Sequence, residues 1–240
     1  MRKHFLFQAG LPRTGSTVLS AILDQNPNIY AGQHSPVCQM MWDIQGSCEN
    51  SAYEQLAASD RTDFQGDLLS RIPDLYYRHV SEPTVVDKCM VWTLPDNFDL
   101  IKRYITPDPK IVVLTRPLEE IIESFENVNR RAGIEIDSHL MWIEGTAPVM
   151  RSNDGVQWAR ENNSGEFLFI EYADFMADPT TTLEQIYNHY ELPEFNHDFN
   201  DIVCRNPENE SVHGVAGMHT VRPKLGLRHN AISKIEAEAS

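Results

Sequence analysis

Residues 10–17, Gly-Leu-Pro-Arg-Thr-Gly-Ser-Thr, combine the groups that bind a phosphate or another anion. Arg13 supplies a permanent positive charge, and Ser16 and Thr17 supply hydroxyl donors. Backbone N–H groups in a tight loop and at the start of a helix point the same way and attract an anion. The alternative is an ordinary tight turn with a solvated arginine, so the interpretation depends on the elements around the loop.

The loop differs from the standard loop of nucleoside triphosphatases. That loop has Gly, four residues, Gly, Lys and then Ser or Thr. Gly10 and Gly15 have this spacing, but Ser16 stands where the lysine belongs, and the cation is Arg13 inside the loop. The sequence therefore predicts an anion-binding loop without the triphosphatase lysine.

The loop lies between a predicted strand and a predicted helix. An apolar run precedes it, and apolar residues at helical spacing follow at Val18, Leu19, Ile22 and Leu23. Further strands are predicted at 29–31, 84–87, 110–115 and 166–171. Helices are predicted at 36–44, over much of 50–80 with a break near Pro73, after Pro95, at 117–131, in parts of 135–163 and at 181–190. Strands that alternate with helices predict an α/β fold with a parallel sheet.

Four polar side chains come directly after predicted strands. They are Arg13, Lys88, Arg116 and Tyr172. Ligands of parallel sheets bind beyond the carboxyl ends of the strands, so we expect one crevice to collect all four residues.

Composition limits the class of protein. The chain has 240 residues, 41% hydrophobic and 23% charged, which fits one soluble globular domain over 1–240. The net charge of −15 argues against nucleic acid or an anionic membrane as a partner. The four cysteines are widely spaced, and the first residues lack the pattern of a signal peptide, so we expect a reduced, cytoplasmic protein without a metal site.

The loop, Leu-Pro-Arg-Thr-Gly-Ser-Thr, closely resembles the 5′-phosphosulfate loop of sulfotransferases that use 3′-phosphoadenylyl sulfate, PAPS. The resemblance covers roughly residues 4–192. It implies a three-layer sandwich related to the P-loop NTPase fold, with PAPS as donor, adenosine 3′,5′-bisphosphate (PAP) as product and a small-molecule or peptide hydroxyl as acceptor. The loop residues that would hold the donor are Arg13, Thr14, Gly15, Ser16 and Thr17, and Arg13 would also contact the transferred sulfonate.

A second part of the resemblance is Arg116, which precedes Ser124 by eight residues. In the family, an arginine at the end of this strand and a serine on the next helix bind the 3′-phosphate of the donor. Arginine gives charged, bidentate contacts to phosphate, and serine adds a hydroxyl donor. The alternative is that Arg116 forms a salt bridge with Glu119 or Glu120.

The resemblance implies Lys88 beside the reacting sulfonate but leaves the catalytic base open. Cytosolic members use a histidine where this chain has Met90, and tyrosylprotein-type members use a glutamate where it has Gln33. His34, next to Gln33, is our candidate base. A helix that begins at Pro36 would disfavour the imidazolium and leave a neutral base.

Two further segments resemble the family. Tyr172, in Phe-Ile-Glu-Tyr-Ala-Asp, would lie by the adenine or serve as a core residue. Residues 213–224 resemble C-terminal segments that close over the nucleotide, with Arg222 and Lys224 as candidate phosphate ligands. The acceptor pocket is expected from the helical stretches 45–80 and 135–163.

Two other functions are also compatible with the sequence. A phosphotransferase or nucleoside triphosphatase is favoured by Asp87, which ends a predicted strand as a magnesium-binding aspartate would. A nucleotide-binding module without catalysis is allowed by the substitutions at Gln33 and Met90.

Overall fold

The computed structural model describes residues 3–134, 140, 148–212 and 218–225. Its centre is a five-stranded sheet in the order β2-β3-β1-β4-β5, with every neighbouring pair parallel. The strands are β1 His4–Gly10, β2 Ile29–His34, β3 Thr84–Lys88, β4 Ile111–Thr115 and β5 Phe167–Glu171. The predicted α/β fold with a parallel sheet is confirmed.

Helices follow the strands, as the alternating pattern predicts. They are α1 Ser16–Leu23, α2 Val37–Glu49, α3 Tyr53–Ala58, α4 Phe64–Tyr76, α5 Pro95–Leu100, α6 Leu118–Arg131, α7 Pro148–Glu161, α8 Tyr172–Ala177 and α9 Pro179–His189. Pro95 and Pro179 occupy first turns, where the missing N–H costs no hydrogen bond. None of the helices in the described residues is long and apolar enough to cross a membrane.

The sheet is covered on both faces, which makes a three-layer sandwich. Along β1, Phe5 and Phe7 pack into one buried cluster and Leu6 into the other. The first cluster takes residues of α2, α4, α5 and α7, and the second takes residues of α1, α8 and α9. Alternate residues of a strand point to opposite faces, so both sets must be apolar.

The loop after β1 lies between the two halves of the sheet. From β1 the chain runs to β2 and β3 on one side, then crosses to β4 and β5 on the other. The carboxyl end of β1 is therefore flanked by the ends of β3 and β4, the position where parallel sheets bind ligands.

Three predicted boundaries are wrong. Helix α2 runs to Glu49 instead of ending at residue 44. Helix α4 does not break at Pro73 but runs through it and ends at Tyr76. Pro73 and Ile72 are buried, and this packing offsets the hydrogen bond that proline cannot make. Strand β2 extends past the predicted residue 31 to His34, with an irregular register between Ala31 and His34. Gln33 and His34 therefore lie in the strand.

Candidate active site

The loop between β1 and α1 needs glycine at its first position. Gly10 has a φ of 115°, and a Cβ there would come within 2.1 Å of the carbonyl oxygen of Leu114 in β4. The N–H of Leu11 donates to that oxygen over 2.9 Å. Gly15 also has a positive φ, 79°, and caps the N-terminus of α1. The backbone therefore turns tightly against β4 before the helix begins.

Polar side chains brace the loop from within. The amide of Gln8 donates to the carbonyl of Ser16 over 2.9 Å and accepts from the hydroxyl of Ser20. The buried hydroxyl of Thr14 donates to the carbonyl of Leu11 over 2.7 Å. The Thr14 hydroxyl is thus engaged within the loop. Thr14 can therefore contact a ligand in the predicted way only through its backbone N–H.

Arg13 and Arg116 lie side by side at this end of the sheet. The Nη1 of Arg116 donates to the carbonyl of Arg13 over 3.1 Å, and its guanidinium lies 4.5 Å from the ring centroid of Tyr172. The Tyr172 ring also packs against Gly15. Burial, and then the charge of Arg116, lower the pKa of Arg13. A bound anion would offset both costs by neutralising the cluster.

The predicted pairing of Arg116 with Ser124 takes a different form in the structure. Arg13, not Arg116, donates to the hydroxyl of Ser124, over 3.2 Å. Arg116 instead bonds Glu120 over 2.9 Å, the ion pair expected as the alternative. The two arginines and Ser124 nevertheless lie close together, because the side chain of Arg13 extends to α6. There its guanidinium also lies 5.8 Å from the ring centroid of Phe125.

Lys88 is buried at the end of β3, beside the loop. Its Nζ lies 3.5 Å from the hydroxyl oxygen of Thr17 on α1. Burial lowers the pKa of Lys88 to about 8, although the nearby charges of Glu208 and Cys204 act in the opposite direction. The structure therefore brings Arg13, Lys88, Arg116 and Tyr172 to the same edge of the sheet, as their positions after strands predicted.

Asp87 does not have the surroundings of a magnesium ligand. Its fully buried carboxylate accepts hydrogen bonds from Ser35, Tyr77 and Trp92, over 2.6, 2.8 and 2.7 Å. Burial raises the pKa of Asp87, and these bonds oppose that effect. It ties β3 to the residues that directly follow β2 and α4 and to Trp92 after β3. No cluster of metal-ligating side chains occurs within the described part of the chain.

The candidate base His34 is exposed at the end of β2, and its Cα pairs with that of Lys88. The helix is expected to favour the neutral imidazole, but the other groups around His34 shift its pKa the opposite way. Desolvation of the imidazole by the atoms packed around it lowers the pKa of His34, but the thiol and charge of Cys89 outweigh this, and the pKa is raised overall. The neighbouring Gln33 is used for structure: its amide donates to the carbonyl of Asn206 over 2.6 Å.

A cavity of about 350 Å³ opens beside His34. It is lined by His34, Ser35, Pro36, Cys38, Gln39, Trp42, Cys89, Val91, Asn97 and Arg151. Of the two stretches predicted to form an acceptor pocket, 45–80 contributes nothing to this lining and 135–163 contributes Arg151. Residues 135–139 and 141–147 lie outside the described residues.

The C-terminal segment adds contacts that the sequence pattern did not indicate. Arg13 also donates to the carbonyl of Met218. Glu208 lies 3.4 Å from the backbone nitrogen of His34 and 3.2 Å from the Nδ1 of His219. These residues approach the site from about two hundred positions away in the chain, and no local motif marks them.

Arg222 and Lys224 are exposed, and the described residues provide neither of them with a hydrogen bond or ion pair. Residues 213–217 of the predicted closing segment lie outside the described residues. The part that is described reaches the site through Met218. Phosphate binding by Arg222 and Lys224 stays a prediction.

Fold and site together define an α/β protein with a cationic cluster at the first strand–loop–helix turn. A model of the sulfotransferase family matches residues 6–197, most of the chain, so the protein belongs to the sulfotransferase family. The predicted family is confirmed. A search of curated proteins found no match.

Several solved sulfotransferase structures have a similar fold. The sulfotransferase domain of the Synechococcus PCC 7002 olefin synthase aligns with a TM-score of 0.57 and 15% identity, over 100% of this chain and 96% of that one. A sulfotransferase from Alicyclobacillus acidocaldarius gives 0.55 and 14%, over 82% and 85%. A mouse sulfotransferase in complex with PAP gives 0.52 and 15%, over 95% and 76%. At these identities the likeness is one of fold.

Proposed function

We propose that this protein transfers the sulfonate group of PAPS to a hydroxyl acceptor and releases PAP. The observation that carries the proposal is the cationic cluster of Arg13, Arg116 and Lys88 around a loop whose backbone turns against β4. Sulfonate transfer, like phosphoryl transfer, gains mainly from positioning and from stabilisation of negative charge. Three cations at the end of the sheet supply that stabilisation.

Each side chain has a role in this proposal. The loop N–H groups with Ser16 and Thr17 hold the 5′-phosphate, and Arg13 and Lys88 contact the sulfonate and the bridging oxygen. Arg116 and Ser124 bind the 3′-phosphate, and Tyr172 lies by the adenine. The direct contacts of Arg116 with Arg13 and Tyr172 support a single, continuous donor site. Arg222 and Lys224 remain candidates for further phosphate contacts.

The cavity beside His34 is the proposed acceptor site. It adjoins the end of β3, where Lys88 lies, so a hydroxyl in it would be near the sulfonate. Its volume of about 350 Å³ suits a small molecule or one side chain of a peptide. We propose His34 as the base that accepts the hydroxyl proton. Because its pKa is raised, His34 becomes neutral, and able to accept a proton, at a higher pH than an ordinary imidazole.

The phosphotransferase alternative loses its main support. It required Asp87 as a magnesium ligand, but the Asp87 carboxylate is already bonded to three side-chain donors. The loop also lacks the triphosphatase lysine. A nucleotide-binding module without catalysis would share the donor site, so only an activity assay separates it from the enzyme.

The setting we propose is the reduced cytoplasm. Each of the four cysteines, all within the described residues, is a free thiol. A net charge of −15 disfavours nucleic acid and anionic membranes as partners.

Thermal shift against nucleotides tests the proposal. PAP without magnesium is expected to stabilise the protein, by about 2.7 kcal/mol at a concentration of roughly 100 times its dissociation constant. ATP without magnesium should give a smaller shift, because it carries no 3′-phosphate for Arg116 and Ser124. A larger, magnesium-dependent shift with ATP would favour the phosphotransferase. Transfer of labelled sulfonate from PAPS to a screen of phenols, alcohols and peptides then separates enzyme from binding module.

A further inference from the structure

Two thiols and an imidazole meet in the wall of the cavity. Cys38 lies in the first turn of α2, Cys89 follows β3, and His34 ends β2. All three residues line the same cavity. The two cysteines are 3% and 2% exposed, so the cavity is their route to small reagents.

The three groups interact directly. The side chains of Cys38, Cys89 and His34 lie close enough in this wall to shift one another's pKa. The neighbouring Cys38 thiol, and then the imidazole and charge of His34, lower the pKa of Cys89, against the effect of burial. The pKa of Cys38 is raised, first by the neighbouring Cys89 thiol and then by burial. Cys89 therefore ionises first, and Cys38 remains the thiol beside it.

The charges around these three side chains come from two elements, β3 and α7. The charge of Lys88 lowers the pKa of His34, and the charge of Asp87 raises it. The charge of Asp87 also raises the pKa of Cys38, whereas the charge of Arg151 on α7 lowers it. A thiolate beside an imidazole, with a second thiol in contact, is the arrangement of a reactive cysteine with a resolving partner.

We propose that Cys89 and Cys38 are a peroxide-sensitive dithiol, in which Cys89 is the nucleophile and Cys38 resolves it. The Cys89 sulfur attacks one oxygen of hydrogen peroxide, the O–O bond breaks, and a sulfenic acid and water form. The Cys38 sulfur then attacks the Cys89 sulfur, the S–O bond breaks, and a disulfide and a second water form. Both sulfurs are oxidised and the peroxide is reduced. The proposal does not depend on the sulfotransferase reaction.

The cross-link would join the first turn of α2 to the residue after Lys88, in the cavity wall. It would also remove the thiolate that acts on His34. Cys48 is a matched control, because it is buried on the same helix α2 but is not part of the cavity lining.

Peptide mapping after treatment with dilute hydrogen peroxide tests the proposal. After trypsin digestion Cys89 lies on peptide 89–102, whereas Cys38 and Cys48 lie together on peptide 14–61. A cross-link between these two peptides in the Cys48→Ser variant therefore identifies Cys38 as the partner of Cys89. Wild type and Cys48→Ser should both give a cross-linked pair of these peptides, reversed by dithiothreitol. Cys38→Ser should give no cross-link, and Cys89 should carry added oxygen instead.

Labelling with iodoacetamide over a range of pH gives a second readout that needs no cysteine variant. Cys89 should reach half of its maximal labelling rate at a lower pH than an ordinary thiol, because its pKa is lowered. The proposal is overturned if peroxide oxidises the folded wild type without joining 89–102 to 14–61. It is also overturned if Cys48→Ser abolishes the cross-link, or if labelling of Cys89 rises only above pH ~8.5, the range of an ordinary thiol.

Discussion

Arg13 and Arg116 are held in place before any ligand binds. Arg13 donates to Ser124 and Met218, and Arg116 donates to the carbonyl of Arg13 and to Glu120. Side chains fixed in advance lose less conformational entropy on binding. The ion pair between Arg116 and Glu120 competes only weakly with a phosphate for the guanidinium, because the Glu120 side chain is 51% exposed and exposed ion pairs contribute little to stability. A phosphate can therefore displace it.

Arg116 and Lys88 should separate binding from chemistry. We expect Arg116→Ala to weaken PAP binding by about 1.5–3 kcal/mol, because a charged contact to phosphate is lost. Lys88→Met should lower kcat by about 10²-fold or more and change PAP affinity less, if Lys88 stabilises mainly transition-state charge. Titration calorimetry and single-turnover sulfonate transfer measure the two effects.

Glu120→Gln is the control for Arg116. It removes the competing carboxylate and keeps the size of the side chain, so PAP should bind at least as tightly as to wild type. Equal losses of binding and turnover in Arg116→Ala and Lys88→Met would show that this division of roles is wrong.

The pH dependence of kcat/KM should report His34 and Lys88. A base must be deprotonated, and the raised pKa of His34 places the rising limb above the ordinary imidazole value of about 6.5. Lys88 must be protonated, so activity should fall as the pH rises through its pKa of about 8. High activity is therefore confined to a narrow pH range between the rising and the falling limb. Steady-state rates with a working acceptor from the screen measure it.

Two variants test whether His34 produces the rising limb of the pH profile. His34→Ala should lower turnover by about 10²-fold or more with PAP affinity nearly unchanged, and the rising limb should disappear. Cys89→Ser should move that limb to lower pH, because the Cys89 thiol and charge are what raise the pKa of His34. Wild-type turnover by His34→Ala would exclude it as the base.

At the scale of elements, patterns local in sequence predicted most of the fold. The strand, Gly-bounded loop and helix around residues 10–17 needed only apolar periodicity and glycine spacing. The break expected at Pro73 failed because burial within α4 outweighs a lost backbone bond. The contacts of Arg13 with Met218 and of Gln33 with Asn206 join segments far apart in the chain. No periodicity encodes such pairs, so the sequence did not reveal them.

Gly10 tests how the loop depends on its neighbour strand. Gly10→Ala should destabilise the protein by about 2 kcal/mol or more, because its Cβ would overlap the Leu114 carbonyl at a positive φ. Gly46→Ala is the matched control, since Gly46 lies in α2 with nothing within 4 Å of its added Cβ. It should stabilise by about 0.5–1 kcal/mol. Urea unfolding midpoints compare the two, and similar midpoints for both variants would contradict the close approach to β4.

At the scale of the whole molecule, a cationic site lies in an acidic protein. The chain carries a net charge of −15, yet Arg13, Arg116 and Lys88 gather at one edge of the sheet. Self-repulsion of the acidic surface opposes compactness, and the same surface repels an anionic donor at long range. The local cluster must therefore supply the attraction at short range.

Added salt should consequently change the stability of the free protein and its affinity for PAP in opposite directions. Raising sodium chloride from about 0.05 to 0.5 M shortens the Debye length from roughly 14 to 4 Å. Screening of the negative surface should raise the melting temperature of the free protein, while screening of the phosphate contacts should lower the PAP-induced shift. In the Arg116→Ala variant, which has one cation fewer at the site, added salt should reduce the PAP-induced thermal shift less than it does in the wild type. A PAP-induced shift that is independent of salt in the wild type would mean that the arginine–lysine cluster is not where the bisphosphate binds.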